Sequence, residues 1–158
     1  MALTNWGTKT VSESNLWDLR FLEIASLLST WSKDPSTKVG AVATLDRRIL
    51  ATGYNGFPQK VHDTPARLDN REIKNQLMAH AETNLLTSAA MNGVSLRRST
   101  VYCTWPPCAS CAGQLINTGV YRLVVPVTDV PVRWYSNFQL SAEILREGGI
   151  WVDVIPVP

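Results

Sequence analysis

The sequence predicts an α/β domain in which a central sheet carries helices on both faces. Stretches with helical and with extended apolar periodicity alternate along the chain, which is typical of this class. Of the 158 residues, 45% are apolar and 18% are charged, so the chain can build a core. One predicted strand, residues 122–127, is continuously apolar, as expected for a strand covered on both faces. A chain of this length suits a single domain, residues 1–158.

The first half of the chain predicts one helix and one hairpin. Residues 14–31 place apolar side chains at helical spacing, and the polar segment that follows ends this helix. Residues 39–44 and 49–54 predict two strands joined by a charged turn, and Asn55 with the next glycine ends the second strand. The polar stretch 57–76 lacks a clear period. It predicts a long excursion with one short helix, and such long connections are often functional.

The second half predicts helices and strands in alternation. The predicted helices are residues 79–91, 108 to about 117, and 138–147, and the predicted strands are residues 99–104, 122–127 and 150–155. Each helix is followed by a stop that contains glycine, at Gly93, Gly119 and Gly148. This order predicts helices on both sides of one sheet.

Charge and cysteine content exclude several classes. The net charge of +2 is too small to predict a nucleic-acid binder, but it permits a small anionic substrate. No apolar run is long enough to cross a bilayer, and residues 1–6 lack the features of a secretory signal, so no membrane partner is expected. Three cysteines do not form a closed disulfide framework. We therefore expect free thiols in a reducing, cytoplasmic compartment.

Two short segments carry residues suited to metal chemistry. Cys108 and Cys111 open a predicted helix at positions i and i+3, which share a face and can hold one ion. The free N–H groups of a first helical turn favour thiolates there. His80 adds an imidazole from the start of another predicted helix, whereas Cys103 and His62 lack ligand spacing. Three protein ligands with a position left for water are typical of a catalytic zinc site.

Glu82 is predicted to exchange protons in the same pocket, because it lies two residues after His80. A carboxylate there can take a proton from water on the metal and deliver it to a substrate nitrogen, as hydrolytic removal of a ring amino group requires. Cys-x-x-Cys alone also suits a redox pair or half of a zinc ribbon, but a ribbon needs a second pair. His-x-Glu followed by Pro-Cys-x-x-Cys is the signature of zinc nucleobase deaminases.

Four segments carry a resemblance to a known family: residues 31–42, 53–58, 80–84 and 106–112. In these segments the chain resembles the deoxycytidylate (dCMP) deaminases, a branch of the zinc-dependent cytidine and deoxycytidylate deaminase superfamily. The likeness extends over about residues 15–155, which we take as the core of the domain. It implies a three-layer α/β/α fold of the cytidine deaminase kind, with a mixed five-stranded central sheet.

The resemblance also implies an activity and a metal centre. The implied reaction is the hydrolytic deamination of dCMP to dUMP and ammonia. One Zn²⁺ per chain is assigned to His80, Cys108 and Cys111, and the proton shuttle to Glu82. Some relatives hold a second, structural zinc in the excursion, but here that region offers only His62, so we expect one zinc.

Five residues are candidates for substrate binding. The resemblance implies that Asn55 bonds the sugar, that Val39 packs on the base, and that the Ala81 backbone holds the pyrimidine edge. Trp105 is a candidate for the pocket wall, and Lys33 for a phosphate contact. Each of three candidates has a simpler alternative. Asn55 can serve only in a turn, Trp105 can simply be buried, and Lys33 can simply be solvated. Further candidates are Lys38, Arg67 and Arg133 for phosphate, and Trp134 and Tyr135 for stacking on the base or covering the core.

The resemblance implies partners as well. Family members are commonly homo-oligomers, often hexamers, and several are activated by dCTP and inhibited by dTTP. Three features depart from the family. Residues 129–135 do not match its phosphate-side segment, which leaves the phosphorylation state of the substrate open, and Leu85 and Cys103 are predicted to be core residues.

Two alternatives remain open at the level of sequence. The first is a deaminase of the same fold that acts on another substrate: dCTP, cytidine, a tRNA adenosine or a polynucleotide cytosine. The low net charge and the lack of a basic arm oppose a nucleic-acid substrate. The second is a zinc-stabilised binding module without catalysis. Glu82 opposes it, because a purely structural zinc site gives no role to a carboxylate at that position.

Overall fold

The computed structural model describes residues 15–157. In chain order the elements are α1 (Asn15–Ser29), β1 (Gly40–Leu45), β2 (Arg48–Tyr54), α2 (Pro65–Leu68), α3 (Arg71–Leu77), α4 (Ala81–Met91), β3 (Thr100–Cys103), α5 (Ala109–Asn117), β4 (Arg122–Pro126), a short 3-10 helix (Val132–Trp134), α6 (Tyr135–Glu147) and β5 (Trp151–Ile155). The predicted helix start at Ser14 and the segment 1–6 lie outside the described residues.

The five strands form one mixed sheet in the order β2-β1-β3-β4-β5. Strand β1 lies between β2 and β3 and is antiparallel to both. Strands β3, β4 and β5 run parallel to one another. The predicted mixed five-stranded sheet is confirmed.

Side chains from the two faces of the sheet enter two separate cores. Alternate residues point to opposite faces of a strand, so Val42, Tyr102 and Val124 belong to one core and their neighbours to the other. Helix α1 covers the first face with Phe21, Leu22, Ala25 and Leu28. Helices α4, α5 and α6 cover the second face with Leu85, Ala89, Ala112, Leu115, Phe138 and Leu145. The three-layer α/β/α arrangement is therefore confirmed.

The excursion differs from the prediction of one short helix, because it contains both α2 and α3. Helix α3 begins after Asn70, whose side-chain Oδ1 accepts hydrogen bonds from the backbone N–H groups of Glu72 and Ile73, each at 3.1 Å. Asparagine is a preferred N-cap, and this cap starts a helix that apolar periodicity does not reveal.

Two other helix boundaries were predicted wrongly. Helix α4 starts at Ala81 rather than at residue 79, because Ala79 pairs with Gly56 in an isolated antiparallel bridge. Helix α6 starts at Tyr135 rather than at Phe138 and follows directly on the 3-10 helix. The first shift matters for function, since it leaves His80 at the N-cap of α4.

A close contact of backbones fixes helix α4 on the sheet. A Cβ atom added to Gly53 in β2 would overlap the backbone of α4 at Ala81 and Leu85. Only glycine permits this approach. The start of α4, with the residues around His80, is thereby held at a defined distance from β2.

Within residues 15–157, every helix falls short of the length and apolar character that a bilayer crossing requires.

Candidate active site

Two helix starts bring three metal-ligand side chains together. His80 is the N-cap of α4, Cys108 is the N-cap of α5, and Cys111 lies in the first turn of α5. The Nδ1 atom of His80 lies 3.5 Å from the Sγ of Cys108 and 3.4 Å from the Sγ of Cys111. One ligand atom from each residue lies within 4.8 Å of the other two. The predicted ligand set converges on one point.

Local hydrogen bonds hold the start of α5 in place. The Sγ of Cys108 accepts a hydrogen bond from the backbone N–H of Cys111 at 3.5 Å. The Oδ1 of Asn137 in α6 accepts one from the N–H of Ala109 at 3.0 Å. Two of the free N–H groups of the helix start are therefore satisfied, and α6 helps to orient the helix that carries both cysteines.

The two thiols differ in acidity because they are hydrogen-bonded to each other. Hydrogen bonds from Cys111 and His80 lower the pKa of Cys108 to about 4, against the effect of burial. The hydrogen bond to Cys108, together with burial, raises the pKa of Cys111 well above its ordinary value. The bond to Cys108 likewise raises the pKa of His80. A metal cation binds deprotonated thiols and a neutral imidazole, so its binding at this point would release protons.

This donor set fits zinc. Two sulfurs and one imidazole nitrogen are the soft and intermediate donors that Zn²⁺ takes in proteins. His80 and Cys108 also line a cavity, so the site is not enclosed by protein on that side. Three protein donors beside an open cavity match a catalytic rather than a structural zinc site.

Glu82 lies in the first turn of α4, with 4% of its surface exposed, and lines the same cavity. Burial raises its pKa from 4.5 to about 7, although His80 and a backbone hydrogen bond oppose the shift. A carboxyl group with such a pKa exchanges protons readily near neutral pH. The structure thus places a candidate acid–base group at the predicted position.

A cavity of about 520 Å³ opens beside these groups. Its lining includes the substrate-binding candidates Val39, Asn55, Ala81 and Trp105, and also Arg133 and Trp134. In the described part of the chain, the other phosphate candidates, Lys33, Lys38 and Arg67, do not line it. Lys33 instead donates a hydrogen bond to Asp63 at 2.8 Å on the surface.

Asn55 does more than form a turn. Its Oδ1 accepts a hydrogen bond from the N–H of Val39 at 2.8 Å, and its Nδ2 donates one to the carbonyl of Thr37 at 2.9 Å. The amide therefore holds the chain before β1 against the end of β2. A side-chain amide has two N–H bonds, of which this contact uses one, and Asn55 also lines the cavity.

Aromatic rings form another part of the wall. The Trp134 ring stacks on Phe138 with a centroid distance of 5.9 Å, and the Trp105 ring meets Phe138 edge-on at 6.4 Å. Trp134 thus both covers the core and lines the cavity, while Tyr135 does not line it within the described residues. Leu85 and Cys103 are fully buried, as predicted.

The sequence did not reveal several lining residues. They come from the segment after α1 and from the excursion: Asp34, Ser36, Thr37, Leu68, Asp69, Arg71, Lys74, Asn75 and Met78. No periodicity marks them. The N-cap at Asn70 was the one local signal that could have placed a helix, and hence Arg71 and Lys74, at this point.

Comparison with known proteins identifies related sequences. The family model described as the cytidine and deoxycytidylate deaminase zinc-binding region matches residues 15–127. A protein of Aliivibrio fischeri described as an uncharacterised deaminase in the luxG 3′ region is 38% identical over 143 residues, covering 89% of this chain and 95% of that protein. The deoxycytidylate deaminase of enterobacteria phage T2 is 30% identical over 174 residues, covering 85% of this chain and 90% of that protein.

A solved structure supports the same relationship. The crystal structure of the dCMP deaminase from cyanophage S-TIM5 superimposes with a TM-score of 0.72 and 26% identity, covering 90% of this chain and 99% of that one. Some relatives are longer: the chain spans 44% of the deoxycytidylate deaminase of Saccharomyces cerevisiae, and 58% and 54% of proteins of Drosophila melanogaster and Caenorhabditis elegans described as probable deoxycytidylate deaminases.

Proposed function

Because this chain belongs to the cytidine and deoxycytidylate deaminase family, we propose that it is a zinc-dependent enzyme that hydrolyses dCMP to dUMP and ammonia. One observation carries the proposal: His80, Cys108 and Cys111 converge beside Glu82 at a cavity of about 520 Å³. The names of the phage relatives support dCMP as the substrate. The non-catalytic alternative gives no role to a buried carboxyl group that lines the cavity.

His80, Cys108 and Cys111 would hold the zinc ion. When bound, zinc acts as a Lewis acid that makes water a stronger nucleophile. The cysteines contribute negative charge, and the N–H of Cys111 hydrogen-bonds the Sγ of Cys108 and keeps that ligand oriented.

Glu82 would move the protons. Its carboxylate accepts a proton from the attacking water and delivers it to the ring nitrogen next to the amino-bearing carbon of cytosine. A carbon–oxygen bond forms at that carbon. Glu82 next transfers the second proton of the water to the amino group, the carbon–nitrogen bond breaks, and ammonia leaves. The raised pKa of Glu82, about 7, suits a group that must both accept and donate.

Other lining residues would bind the nucleotide. We assign the base to a position between Val39 and the Ala81 backbone, the sugar to the remaining amide N–H of Asn55, and the wall to Trp105. Arg133 and Arg71 line the cavity and carry the positive charge that a phosphate group needs. Lys33 stays a weaker candidate, because its ammonium group pairs with Asp63.

We further propose that the chain works as one domain and binds one zinc ion. The continuous five-stranded sheet supports the first point. By the resemblance to the family, we propose a cytoplasmic homo-oligomer, with six subunits as the first expectation and dCTP and dTTP as effectors.

An ammonia-release assay tests the proposed function. Purified enzyme is offered dCMP, dCTP, cytidine, adenosine and a tRNA stem-loop, each with and without added dTTP. We expect turnover of dCMP to exceed that of the other substrates. Preferred turnover of adenosine in the stem-loop, or the absence of ammonia release from dCMP by zinc-loaded enzyme, would refute the assignment.

A further inference from the structure

A buried ion pair joins the excursion to the wall of the cavity. Lys74 in α3 and Asp34, after α1, are each 6% exposed, and the Nζ of Lys74 lies 2.9 Å from the Oδ1 of Asp34. Burial of a charged group is costly unless a partner of opposite charge compensates it. Both residues line the cavity, yet neither takes part in the metal site or the proton transfer described above.

The pair is the first link in a chain of hydrogen bonds. The Oδ1 of Asp34 also accepts the N–H groups of Ser36 and Thr37, at 2.7 and 3.2 Å, and the ammonium of Lys74 donates to the hydroxyl of Ser36 at 3.1 Å. Asn55 then bonds the carbonyl of Thr37 and the N–H of Val39. These bonds connect α3, residues 34–39 and the end of β2, all of which border the cavity.

The position of helix α3 depends on this ion pair, because its other side chains are exposed or half-buried. Among the described residues of α3, Lys74 is the only buried side chain, and α2 buries none. Most helices in proteins are stabilised by packing of an apolar face. In α3 the two apolar side chains are not fully buried: Ile73 is exposed and Leu77 is half-buried. The bridge between Gly56 and Ala79 holds the chain after α3, and Lys74 is the buried anchor within the helix.

We propose that Lys74 is a positioning residue, which through Asp34 holds α3 and residues 34–39 together as one wall of the substrate cavity. Two of its three ammonium hydrogens bond Asp34 and Ser36, so the group orients protein rather than substrate. The kinetic part of this inference rests on the proposed function, whereas the structural part does not.

The structural part is tested without substrate, by hydrogen exchange. Lys74→Met retains the length of the side chain and removes its charge, and Lys60→Met is the matched control, an exposed lysine of the same excursion that does not line the cavity. In Lys74→Met we expect faster exchange in residues 34–39 and 71–77, with exchange in β3 and β4 unchanged. Unchanged exchange in the first two segments, or an equal effect of Lys60→Met, would overturn the proposal.

The kinetic part separates positioning from direct contact. For Lys74→Met with normal zinc content, we expect the KM for dCMP to rise by about tenfold to a hundredfold and kcat to change by less than about threefold. The inhibition constants of dUMP and deoxyuridine should rise by the same factor, because a displaced wall affects both. A rise for dUMP alone would show that Lys74 binds phosphate and would refute the positioning role.

The double variant Asp34→Asn with Lys74→Met completes the test. Because each single variant leaves one buried charge without its partner, the double variant should lose less stability than the sum of the two single losses. Additive losses would contradict a coupled pair. If wild-type enzyme does not deaminate dCMP, the proposed function fails, while the exchange and stability results still decide whether Lys74 is the anchor.

Discussion

At the level of single residues, the site depends on a few buried polar groups. Glu82 and Cys111 are nearly fully buried, and Cys108 has a pKa of about 4 through its hydrogen bonds to Cys111 and His80. Such groups are costly for the fold and are expected where chemistry requires them. We therefore expect these groups to have roles other than stabilising the fold.

Replacement of Glu82 by alanine should separate metal binding from catalysis. We expect Glu82→Ala to retain one zinc per chain, since the three ligands remain, and to lose about 10²- to 10⁴-fold in kcat, the usual contribution of a general acid–base group. Metal analysis and dCMP turnover check this together. Glu72→Ala, an exposed glutamate on α3 outside the cavity, serves as the control. Full activity in Glu82→Ala would disprove the shuttle role.

The Asp34–Lys74 pair predicts how stability depends on pH. Burial alone would raise the pKa of Asp34, but the hydrogen bond from Lys74 and those from Ser36 and Thr37 together lower it below 3.8. A carboxyl group whose pKa is lowered by folding stabilises the fold above its ordinary pKa and loses this effect as the pH falls through the folded value.

The measurement is the free energy of unfolding of wild type and Asp34→Asn from pH 7 to pH 3. Near pH 7 we expect the variant to be less stable by about 3–5 kcal/mol, because Lys74 then lacks its partner. The difference should shrink below the ordinary pKa of 3.8. Asp46→Asn, in the exposed hairpin turn, should change stability little at any pH. A pH-independent difference for Asp34→Asn would contradict the account.

Residues that act through local motifs are predictable from the sequence, whereas pairs of distant residues are not. His80, Glu82, Cys108 and Cys111 were predicted correctly as one cluster, because each motif is local and metal ligands obey strict spacing. Lys74 and Asp34 are forty residues apart, and no local pattern records a pair of that kind. Arg133 lines the cavity as a phosphate contact would, whereas Lys33 pairs with Asp63 instead.

At the level of elements, the site is built where α4 and α5 begin. Helix starts present free N–H groups and favour anionic ligands, so a cysteine at an N-cap is well placed to bind a cation as thiolate. Both starts are located by contacts outside their own helices: α5 through Asn137, and α4 through the backbone contact at Gly53.

Substitution at Gly53 should disturb the metal site through helix α4, whose first residues follow His80. In Gly53→Ala the new methyl group must displace the backbone at Ala81 and Leu85, so we expect a loss of at least about 1–3 kcal/mol in stability, together with weaker zinc binding. Calorimetry and zinc titration measure both. Gly113→Ala in α5 is the matched control, because its Cβ would meet open space. It should stabilise the helix by about 0.5–1 kcal/mol.

If Gly53→Ala instead bound zinc and unfolded like wild type, α4 would not be held by this contact.

Helices and strands with strong local signals are predictable from the sequence. Helices α1, α4 and α5 and all five strands were predicted to within a few residues, because their apolar patterns or stop signals are strong. Helix α3 was missed, since its one buried residue is a lysine and no apolar period marks it.

At the level of the whole molecule, one sheet separates two cores and carries the site on one side. The alternation of predicted helices and strands along the chain, with one continuously apolar strand, predicted the layers. In the structure β1, β3, β4 and β5 place side chains in both cores. The strand order β2-β1-β3-β4-β5 depends on contacts between distant segments and does not follow from periodicity. The resemblance to the family implied a mixed five-stranded sheet, and the structure agrees.

The excursion gives the molecule a wall that its core does not stabilise. Helices α2 and α3 bury a single side chain between them, whereas α4, α5 and α6 pack on the sheet with apolar residues. The metal-ligand residues and Glu82 therefore lie at the starts of helices that pack on the sheet, and part of the cavity wall belongs to a layer joined to them by polar contacts. We therefore expect substitutions of the residues at the helix starts to change mainly kcat, and substitutions in the excursion to change mainly KM.

Zinc titration of the metal-free enzyme tests the central claim most directly. Enzyme stripped by a chelator is supplied with increasing zinc, and dCMP deamination is measured at each step. We predict no turnover without metal and a linear rise that ends at one equivalent of zinc per chain. Full activity in stripped enzyme, or saturation only at two equivalents, would contradict a single catalytic zinc held by His80, Cys108 and Cys111.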